Sequence, residues 1–375
     1  MDVYRAPDFS RPELVAAHDA RFAPAPADGV LPEGFFSTTN LPTYVKHGGD
    51  WTLPRTPRMD SAIVIEADGG LRILEGRFVR AGQSVAVGEA EDGSQGILVN
   101  TTAFQREPGS EGEFSFMSSA VSREKPVDYG QIAELLHEER ARGGHIVWLL
   151  GPAVLHARGR ETMTWFVENG YVGALLGGNA IAVHDIEQAI LGTTLGMDRW
   201  GRPVQGGHAY HMRVINQVRA AGSIAAAVER GLIMNGIMHA CVRRGVPFVL
   251  AGSIRDDGPL PDTIADSLRA QEVMRAHAER CTLAIMIATA LHSIAFGNML
   301  PAYTVDGGTG QPRPIPTVAV DSFEFVVAKL KDRGTHKAFG VITNAQDFLH
   351  VLRHFVQEAE VSRARPMPLP SAGTP

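Results

Sequence analysis

The residue types best able to do chemistry cluster in residues 246–262, where a short apolar run is followed by a charged loop. Residues 246–250 have the pattern of a strand buried on both faces. The loop carries Arg255 and three aspartates, Asp256, Asp257 and Asp262, among glycines and prolines that the interior of a helix or strand does not tolerate. Because open α/β sheets bind ligands at the carboxyl ends of their strands, this segment indicates a binding site. A solvated acidic loop is the alternative interpretation.

The same transition, from an apolar run to small or polar residues, recurs elsewhere in the chain. Small residues let a ligand approach the backbone, and helix N-termini offer amide donors to phosphate. An acid at a strand end, such as Asp321, suits a ribose hydroxyl, although an acid before a helix more often serves as its N-cap. Together these features favour a nucleotide-type cofactor. The further transitions are Gly151-Pro152-Ala153, Gly177-Gly178-Asn179-Ala180, Thr289-Ala290-Leu291-His292-Ser293, Asp321-Ser322 and Thr343-Asn344.

The apolar runs before these transitions alternate with segments of helical periodicity. Helices are predicted at 128–142, 160–169, 180–195, 208–245, 263–280, 322–333 and 345–358. Strands are predicted at 145–150, 171–176, 246–250, 282–288, 317–320 and 338–343. Short strands separated by helices predict an α/β fold with a doubly wound, mostly parallel sheet.

The amino-terminal part of the chain has a different hydrophobic pattern. Short alternating runs at 62–66, 72–74, 84–87 and 96–100 are separated by Gly-rich turns, which predicts a small all-β subdomain. We therefore divide the chain into an arm (1–30) with a short helix around 12–20, a β-rich subdomain (31–120), an α/β domain (121–360) and a disordered tail (361–375).

Composition excludes several classes of protein. Hydrophobic residues make up 44% of the 375 residues and charged residues 20%, as in ordinary globular proteins. The net charge of -6, without a Lys/Arg cluster, argues against nucleic acid as a partner. The longest apolar stretch, 283–296, is too short and too interrupted to span a bilayer, and no signal peptide is visible, so we expect a cytoplasmic protein without a membrane partner. Cys241 and Cys281 are predicted to be buried core residues, since their spacing fits neither a zinc site nor a disulfide framework.

No dinucleotide fingerprint G-x-G-x-x-G and no Walker A sequence occurs in the chain. The residues alone therefore predict no more than an α/β enzyme with a dinucleotide-like cleft.

Several stretches together resemble the archaeal-type ornithine cyclodeaminases and the carboxy-terminal region of the cyanobacterial bifunctional arginine dihydrolase/ornithine cyclodeaminases, a group related to the LOR/SDH proteins. The stretches are GFFSTTNLPT (34–43), VSREKP (121–126), GGNAIAVHDIE (177–187), AGSIRDDGPLPD (251–262), LHSIAFGNMLP (291–301) and DRG (332–334).

The resemblance implies an NAD-binding domain similar to that of deoxyhypusine synthase, which would explain the missing glycine fingerprint. It also implies an ammonia lyase that converts L-ornithine to L-proline through an α-imine and a cyclic imine, with NAD regenerated in each turnover. The expected partners are a small diamino-acid substrate and further copies of the chain in a homo-oligomer. The cofactor contacts carried over are Asn179, Ala180, Asp256, Thr289, Ala290, Leu291, His292 and Asp321.

The reaction also needs substrate contacts. Asn40 and Thr39 are expected at a substrate-binding edge of the small β subdomain, with a plain turn as the alternative. Arg123 and Lys46 are candidates to bind the substrate carboxylate, and the bidentate fork makes Arg123 the better anchor. A salt bridge to Glu124 is the alternative role of Arg123.

Proton transfer requires a tunable group near the cofactor. Asp257 is the first candidate for the general base, and a helix cap is its alternative role. His292 either shares the proton work or hydrogen-bonds the cofactor. The histidines His184, His208 and His211 lack a carboxylate at ligand spacing, so we expect no metal site.

The chain departs from the family pattern in three ways. The usual amino-terminal domain of roughly one hundred residues is not found before Gly34. No amidinotransferase-like module is present, so arginine is not the expected substrate. Ser322-Phe323-Glu324 follows Asp321 where the family pattern has Ile-Asn-Pro. Three alternatives therefore stay open: a cyclodeaminase for lysine or 2,4-diaminobutyrate, an amino-acid oxidoreductase with net NAD reduction, and a catalytically silent NAD-binding protein.

Overall fold

A seven-stranded, all-parallel sheet forms the centre of the molecule in a computed structural model that describes residues 4–104, 128–156, 158–198, 200–256, 258–306, 310–332 and 338–364. The strands are β8 (His145–Leu150), β9 (Ala174–Gly178), β10 (Phe248–Ala251), β11 (Thr263–Ile264), β12 (Cys281–Ile287), β15 (Thr317–Asp321) and β16 (Ala338–Ile342). Their spatial order is β11-β10-β9-β8-β12-β15-β16, and every neighbouring pair is parallel.

Helices cover both faces of this sheet. The helices are α2 (Tyr129–Ala141), α3 (Gly159–Glu168), α4 (Asn179–Leu191), α5 (Tyr210–Ala221), α6 (Ile224–Glu229), α7 (Ile237–Arg244), α8 (Ser267–Ala278), α9 (Ala290–Met299), α10 (Glu324–Asp332) and α11 (Ala345–Ala364). In β8, Trp148 packs into the core beneath α2, α3 and α4, whereas Leu149 packs into the core beneath α8 and α9. Successive residues of a strand point to opposite faces, so a continuous apolar run gives a sheet buried on both sides. The predicted doubly wound α/β fold is confirmed.

The order of the strands reverses at the middle of the sheet. After β8 the chain adds β9, β10 and β11 on one side, then returns to place β12, β15 and β16 on the other. The connections therefore diverge between the carboxyl ends of β8 and β12. In open α/β sheets such a topological switch point leaves a crevice for a ligand.

Two small antiparallel sheets lie amino-terminal to the large one. The first has the order β1-β6-β4-β5 and the second the order β3-β2-β7. Their strands are β1 (Arg21–Pro24), β2 (Thr43–His47), β3 (Asp50–Thr52), β4 (Ala62–Ile65), β5 (Leu71–Leu74), β6 (Ser84–Val87) and β7 (Ile97–Val99). The helix α1 (Pro12–Ala16) precedes them. Because β1 pairs with β6, residues 21–24 of the expected arm are part of a sheet.

Some elements differ from the sequence predictions. The single helix predicted over 208–245 is wrong, because Ser223 caps a new helix by accepting a hydrogen bond from the Ala226 amide (3.0 Å). The β2–β3 hairpin was not predicted, although its Gly48-Gly49 turn is a recognised hairpin signal. The helix α9 and the hairpin of β13 (Tyr303–Val305) and β14 (Pro312–Pro314) were not predicted either.

Two further sequence expectations concern the core and the membrane. Cys241 and Cys281 are both buried, as predicted. Within the described part of the chain, no helix combines the length and apolar character needed to cross a bilayer.

Candidate functional site

A cleft of about 310 Å³ lies at the switch point of the large sheet. It is formed by the carboxyl ends of β8, β9, β10 and β12 and by the first turns of α4 and α9. The lining residues are Leu150, Gly151, Pro152, Gly178, Asn179, Ala180, Ile181, Ala251, Ser253, Arg255, Asp256, Ala288, Thr289, Ala290, Leu291 and His292.

Backbone atoms approach each other closely on the floor of this cleft. A Cβ atom at Gly151 would lie 1.8 Å from the Ala288 carbonyl oxygen, and one at Gly178 would lie 2.9 Å from Cε1 of His292. Ala288 itself has a φ of 52°, a conformation that residues with a side chain rarely adopt. Glycine at these positions exposes backbone to the cleft, which is what a glycine fingerprint achieves in a dinucleotide site.

Two helices point their N-termini at the cleft. Asn179 begins α4 and Ala290 begins α9, and both residues line the cleft. The first turns of a helix carry amide groups without intrahelical partners and the positive end of the helix dipole. This arrangement is suited to the phosphates of a nucleotide.

The side chain of Asn179 connects α4 to the acidic loop. Its Oδ1 accepts hydrogen bonds from the Leu260 amide (3.0 Å) and the Thr263 hydroxyl (3.1 Å). Asp256 in the same loop accepts a hydrogen bond from the Ser253 amide (2.7 Å), which closes the loop on itself after β10. The loop is therefore an ordered wall of the cleft along its described residues.

His292 is fixed by its neighbours in the first turn of α9. Its Nδ1 lies 2.9 Å from the Thr289 hydroxyl, and the ring also hydrogen-bonds the backbone of Ala251. Burial lowers the pKa of His292, although the Ala251 backbone and the nearby Asp256 act in the opposite direction. The imidazole is thus neutral at pH 7, and both of its sides are occupied by protein.

A smaller cavity of about 150 Å³ adjoins the cleft and shares four of its lining residues: Asn179, Ala180, Arg255 and Asp256. His184 and His211 line its far side. The Nδ1 of His184 donates a hydrogen bond to the Glu187 carboxylate (2.9 Å) rather than facing a group of carboxylates. Across the described residues, no three His, Cys, Asp or Glu side chains converge as metal ligands would.

The two acids in the stretch 177–187 have structural contacts. Asp185 is fully buried and pairs with Arg160 (Nε–Oδ1 2.7 Å), and it accepts the Ile237 and Met238 amides that begin α7. Glu187 accepts the Gly196 amide (2.8 Å) and so holds the loop that follows α4. These carboxylates fix the helices behind the cleft.

The structure brings most of the expected cofactor contacts into one place. Seven of the eight line the cleft: Asn179, Ala180, Asp256, Thr289, Ala290, Leu291 and His292. Asp321 ends β15, beside β12, but is not a lining residue, and its Oδ1 accepts the Phe323 amide (3.0 Å). The expected base Asp257 and the expected carboxylate anchor Arg123 lie outside the described residues.

The expected substrate contacts of the small β subdomain lie elsewhere. The Thr39 hydroxyl accepts the Leu41 amide (3.1 Å), and neither Thr39 nor Asn40 lines the cleft. Lys46 is buried, and its ammonium donates to the carbonyls of residues 14, 15 and 17 at 3.2, 2.9 and 2.8 Å. Because those carbonyls use its donors, Lys46 anchors the amino-terminal segment, and the expected contact of Lys46 with the substrate carboxylate is wrong.

Sequence reasoning assigned no contact to several lining residues, although Ser253 and Arg255 lie in the loop that it marked as a candidate site. Ala251, Ser253, Arg255 and Ala288 flank the predicted contacts at the ends of β10 and β12. The signal was their position after an apolar run, since every lining residue lies within five residues of the end of β8, β9, β10 or β12.

Family models match nearly the whole described α/β region. Residues 130–352 match the family "Arginine dihydrolase ArgZ-like, C-terminal, Rossmann fold", and residues 42–130 match its "first region". The chain belongs to the ArgZ-like C-terminal family. This confirms the resemblance identified in the sequence.

Relatives of this ArgZ-like chain share the activity name ornithine cyclodeaminase. It is 43% identical over 339 residues to an ornithine cyclodeaminase of Methanopyrus kandleri, covering 89% of this chain and 78% of the relative. It is also 43% identical over 359 residues to an ornithine cyclodeaminase of Archaeoglobus fulgidus, covering 95% and 81%. A bifunctional arginine dihydrolase/ornithine cyclodeaminase of Nostoc is 44% identical over 89% of this chain and 46% of its own length.

Solved structures agree with this relationship. A conserved LOR/SDH protein from Methanococcus maripaludis superimposes with a TM-score of 0.81 at 41% identity, over 92% of this chain and 99% of that one. AgrE in a ternary complex with ornithine and NAD⁺ superimposes with a TM-score of 0.58 at 40% identity, over 92% of this chain and 47% of that one.

Proposed function

We propose that this chain is an NAD-dependent ornithine cyclodeaminase, which converts L-ornithine to L-proline and ammonia. The observation that carries the proposal is the cleft at the switch point, where two helix N-termini and a glycine-lined floor meet. It is supported by archaeal relatives named ornithine cyclodeaminase at 43% identity and by the ornithine and NAD⁺ bound in the related AgrE structure.

The residues present fit a dinucleotide. The amide groups at the starts of α4 and α9 would hold the pyrophosphate, and the floor at Gly151 and Gly178 leaves room for it against the backbone. We propose that Asp321 accepts hydrogen bonds from a ribose hydroxyl. When bound, NAD⁺ supplies hydride transfer from the substrate α-carbon and its return to the cyclic imine.

We assign the general base to Asp257. Its neighbours Asp256 and Gly258 both line the cleft or the adjoining cavity. A carboxylate there would take the proton from the side-chain ammonium, so that the free amine can attack the α-imine and ammonia can leave. His292 is neutral and engaged on both sides, which favours a role in holding the cofactor site over a role in proton transfer.

The substrate contacts proposed for Asn40, Thr39 and Arg123 stay predictions. The segment 37–40 packs beside Arg58, whose carbonyl accepts the Thr38 hydroxyl (2.7 Å) and whose guanidinium donates to the Asn298 carbonyl (3.0 Å). Asn298 is near the end of α9, whereas the cleft is at its start. A homo-oligomeric assembly and a cytoplasmic location likewise stay predictions from the sequence.

A diamino-acid screen tests the proposed activity. The purified protein is incubated with NAD⁺ and with L-ornithine, L-lysine or L-2,4-diaminobutyrate, and loss of ammonia is followed by mass spectrometry. We expect proline from ornithine without net NADH. Accumulation of NADH would favour an oxidoreductase, and turnover of lysine or diaminobutyrate alone would change the substrate. No reaction with any of them would favour a silent NAD-binding protein.

A further inference from the structure

A second cavity, of about 330 Å³, lies between the small β subdomain and the ends of α8 and α9. It shares no lining residue with the cleft at the switch point. Met299, the last residue of α9, lines it, whereas the first residue of that helix lines the cleft. The cavity is therefore a separate place on the molecule, and the proposed reaction does not use it.

Positive charge is in excess on one wall of this cavity. The carboxylate of Glu75 accepts hydrogen bonds from Arg58 and Arg275 (Nη2–Oε1 2.6 Å for Arg275) and pairs with Arg77 (Nε–Oε2 2.7 Å). Burial acts to raise the pKa of Glu75, but the three arginines outweigh it and lower that pKa. One carboxylate thus faces three guanidinium groups, of which those of Arg58 and Arg275 line the cavity, so this wall carries two guanidinium groups and one carboxylate.

The other acids around the cavity already have arginine partners. Glu279 lies 3.9 Å from Arg72, and Glu272 pairs with Arg269 (3.1 Å). Both acids are on the exposed rim, where ion pairs are weak and screened. They do not offset the charge around Glu75.

Two donors of this cluster lack an acceptor. Among the described residues, the Nε atoms of Arg58 and Arg275 are buried without a hydrogen-bond partner. Burial also lowers the pKa of Arg58, since it removes water from the guanidinium. Leaving a buried donor without an acceptor is costly, so a carboxylate that accepts from these Nε atoms would stabilise the cluster.

The cavity also has an apolar wall. It is formed by Pro57, Ile73, Leu74, Phe78, Met299 and Pro301. An inorganic anion would leave this wall uncovered, whereas an organic acid would use it. The guanidinium group presents a planar fork that matches a carboxylate. We propose that this cavity binds a small organic carboxylate, with its carboxylate at Arg58 and Arg275 and its apolar chain against Phe78 and Met299.

Calorimetry with the NAD-saturated protein tests the site, with pentanoate as the probe and acetate and phosphate as comparisons. Pentanoate is expected to bind more tightly than acetate, because its additional methylene groups contact the apolar wall. Arg275→Lys keeps the charge but removes the fork and should weaken pentanoate binding about tenfold or more. The matched control is Arg280→Gln, an exposed arginine nearby that does not line the cavity and should leave the affinity unchanged.

Pentanoate affinity that is equal in the wild type and in Arg275→Lys would overturn the proposal, as would no binding at about 10 mM, a concentration that detects even weak ligands. If Arg275→Lys does not fold, a crystal structure of the wild type with 5-bromopentanoate decides the question. Bromine density in this cavity supports the proposal, and density only at the NAD cleft or nowhere contradicts it. Neither measurement depends on ornithine turnover.

Discussion

Gly178 and His292 meet at the carboxyl edge of the sheet, so closely that a Cβ atom on Gly178 would lie 2.9 Å from Cε1 of the imidazole. The ring cannot easily retreat, because Thr289 and the Ala251 backbone hold it. The end of β9 and the start of α9 are thereby kept at the distance that leaves the cleft open between them.

Gly178→Ala should therefore impair cofactor binding without unfolding the protein. The added methyl group would push His292 and the first turn of α9 toward the space proposed for the pyrophosphate. We expect NAD affinity to fall about tenfold, or ~1.4 kcal/mol, in a calorimetric titration. Gly130→Ala is the matched control, because only a flexible Asp128 oxygen lies within 3.4 Å of its Cβ, and it should bind NAD normally. Unchanged affinity in Gly178→Ala would mean that the cofactor does not depend on this contact.

Variants of Asp321 distinguish two roles of an acid at the end of a strand, a contact with ribose and a cap of the local turn. Replacing Asp321 by Ala should weaken NAD binding by about 1–3 kcal/mol if it accepts a ribose hydroxyl. Asp321→Asn keeps an acceptor for the Phe323 amide but removes the charge. A loss of affinity in both variants supports the ribose contact. If Asp321→Ala loses only thermal stability and Asp321→Asn restores it, Asp321 is a local turn cap.

Asp257→Asn tests the proposed general base. Turnover of ornithine should fall ~10²-fold or more while NAD and substrate still bind, since proton transfer contributes a factor of that order. The control is Asp266→Asn, because Asp266 caps α8 through the Arg269 amide (2.7 Å) and Asn caps equally well. The turnover of both variants is measured as steady-state ammonia release. Normal turnover of Asp257→Asn would show that Asp257 is not the general base.

The partly buried pair His145 and His277 predicts an acid-sensitive fold. Their ring nitrogens are 3.0 Å apart, and burial, with a contribution from His277, lowers the pKa of His145 to about 4. The unfolded chain takes up this proton near pH 6.5, so the contribution to stability is present above that pH and is lost as the pH falls toward 4. We expect a loss of about 1–2 kcal/mol between pH 7.5 and 5 in urea unfolding.

His145→Gln should show a smaller loss over the same pH range, because the neutral amide does not titrate. His354→Gln serves as the control, since His354 is an exposed residue paired with Glu358. It should keep the slope of the wild type. Equal slopes in all three proteins would show that the pair of His145 and His277 does not set the acid sensitivity.

The elements and site residues that depend on the local sequence pattern were predicted from the sequence. The apolar run 145–150 became β8, and the residues after β8, β9, β10 and β12 became the lining of one cleft, because parallel strands bring their carboxyl ends to one edge. Contacts between distant residues could not be predicted in this way. The carbonyls that bind Lys46 belong to residues 14–17, and Glu75 meets Arg275 across 200 positions. The type of a charged residue does not indicate whether its side chain will bind backbone carbonyls, as Lys46 does, or a distant carboxylate, as Arg275 does.

The most direct test of the account follows the α-hydrogen of the substrate. With L-[2-²H]ornithine and NAD⁺, hydride removal and return within one site predict proline that keeps its deuterium at C2, with one ammonia per proline and no net NADH. Mass spectrometry of the proline and an absorbance trace of the same reaction provide both readings. Proline without the label, or deuterium that accumulates in reduced NAD, would contradict the proposed redox-neutral cyclodeamination.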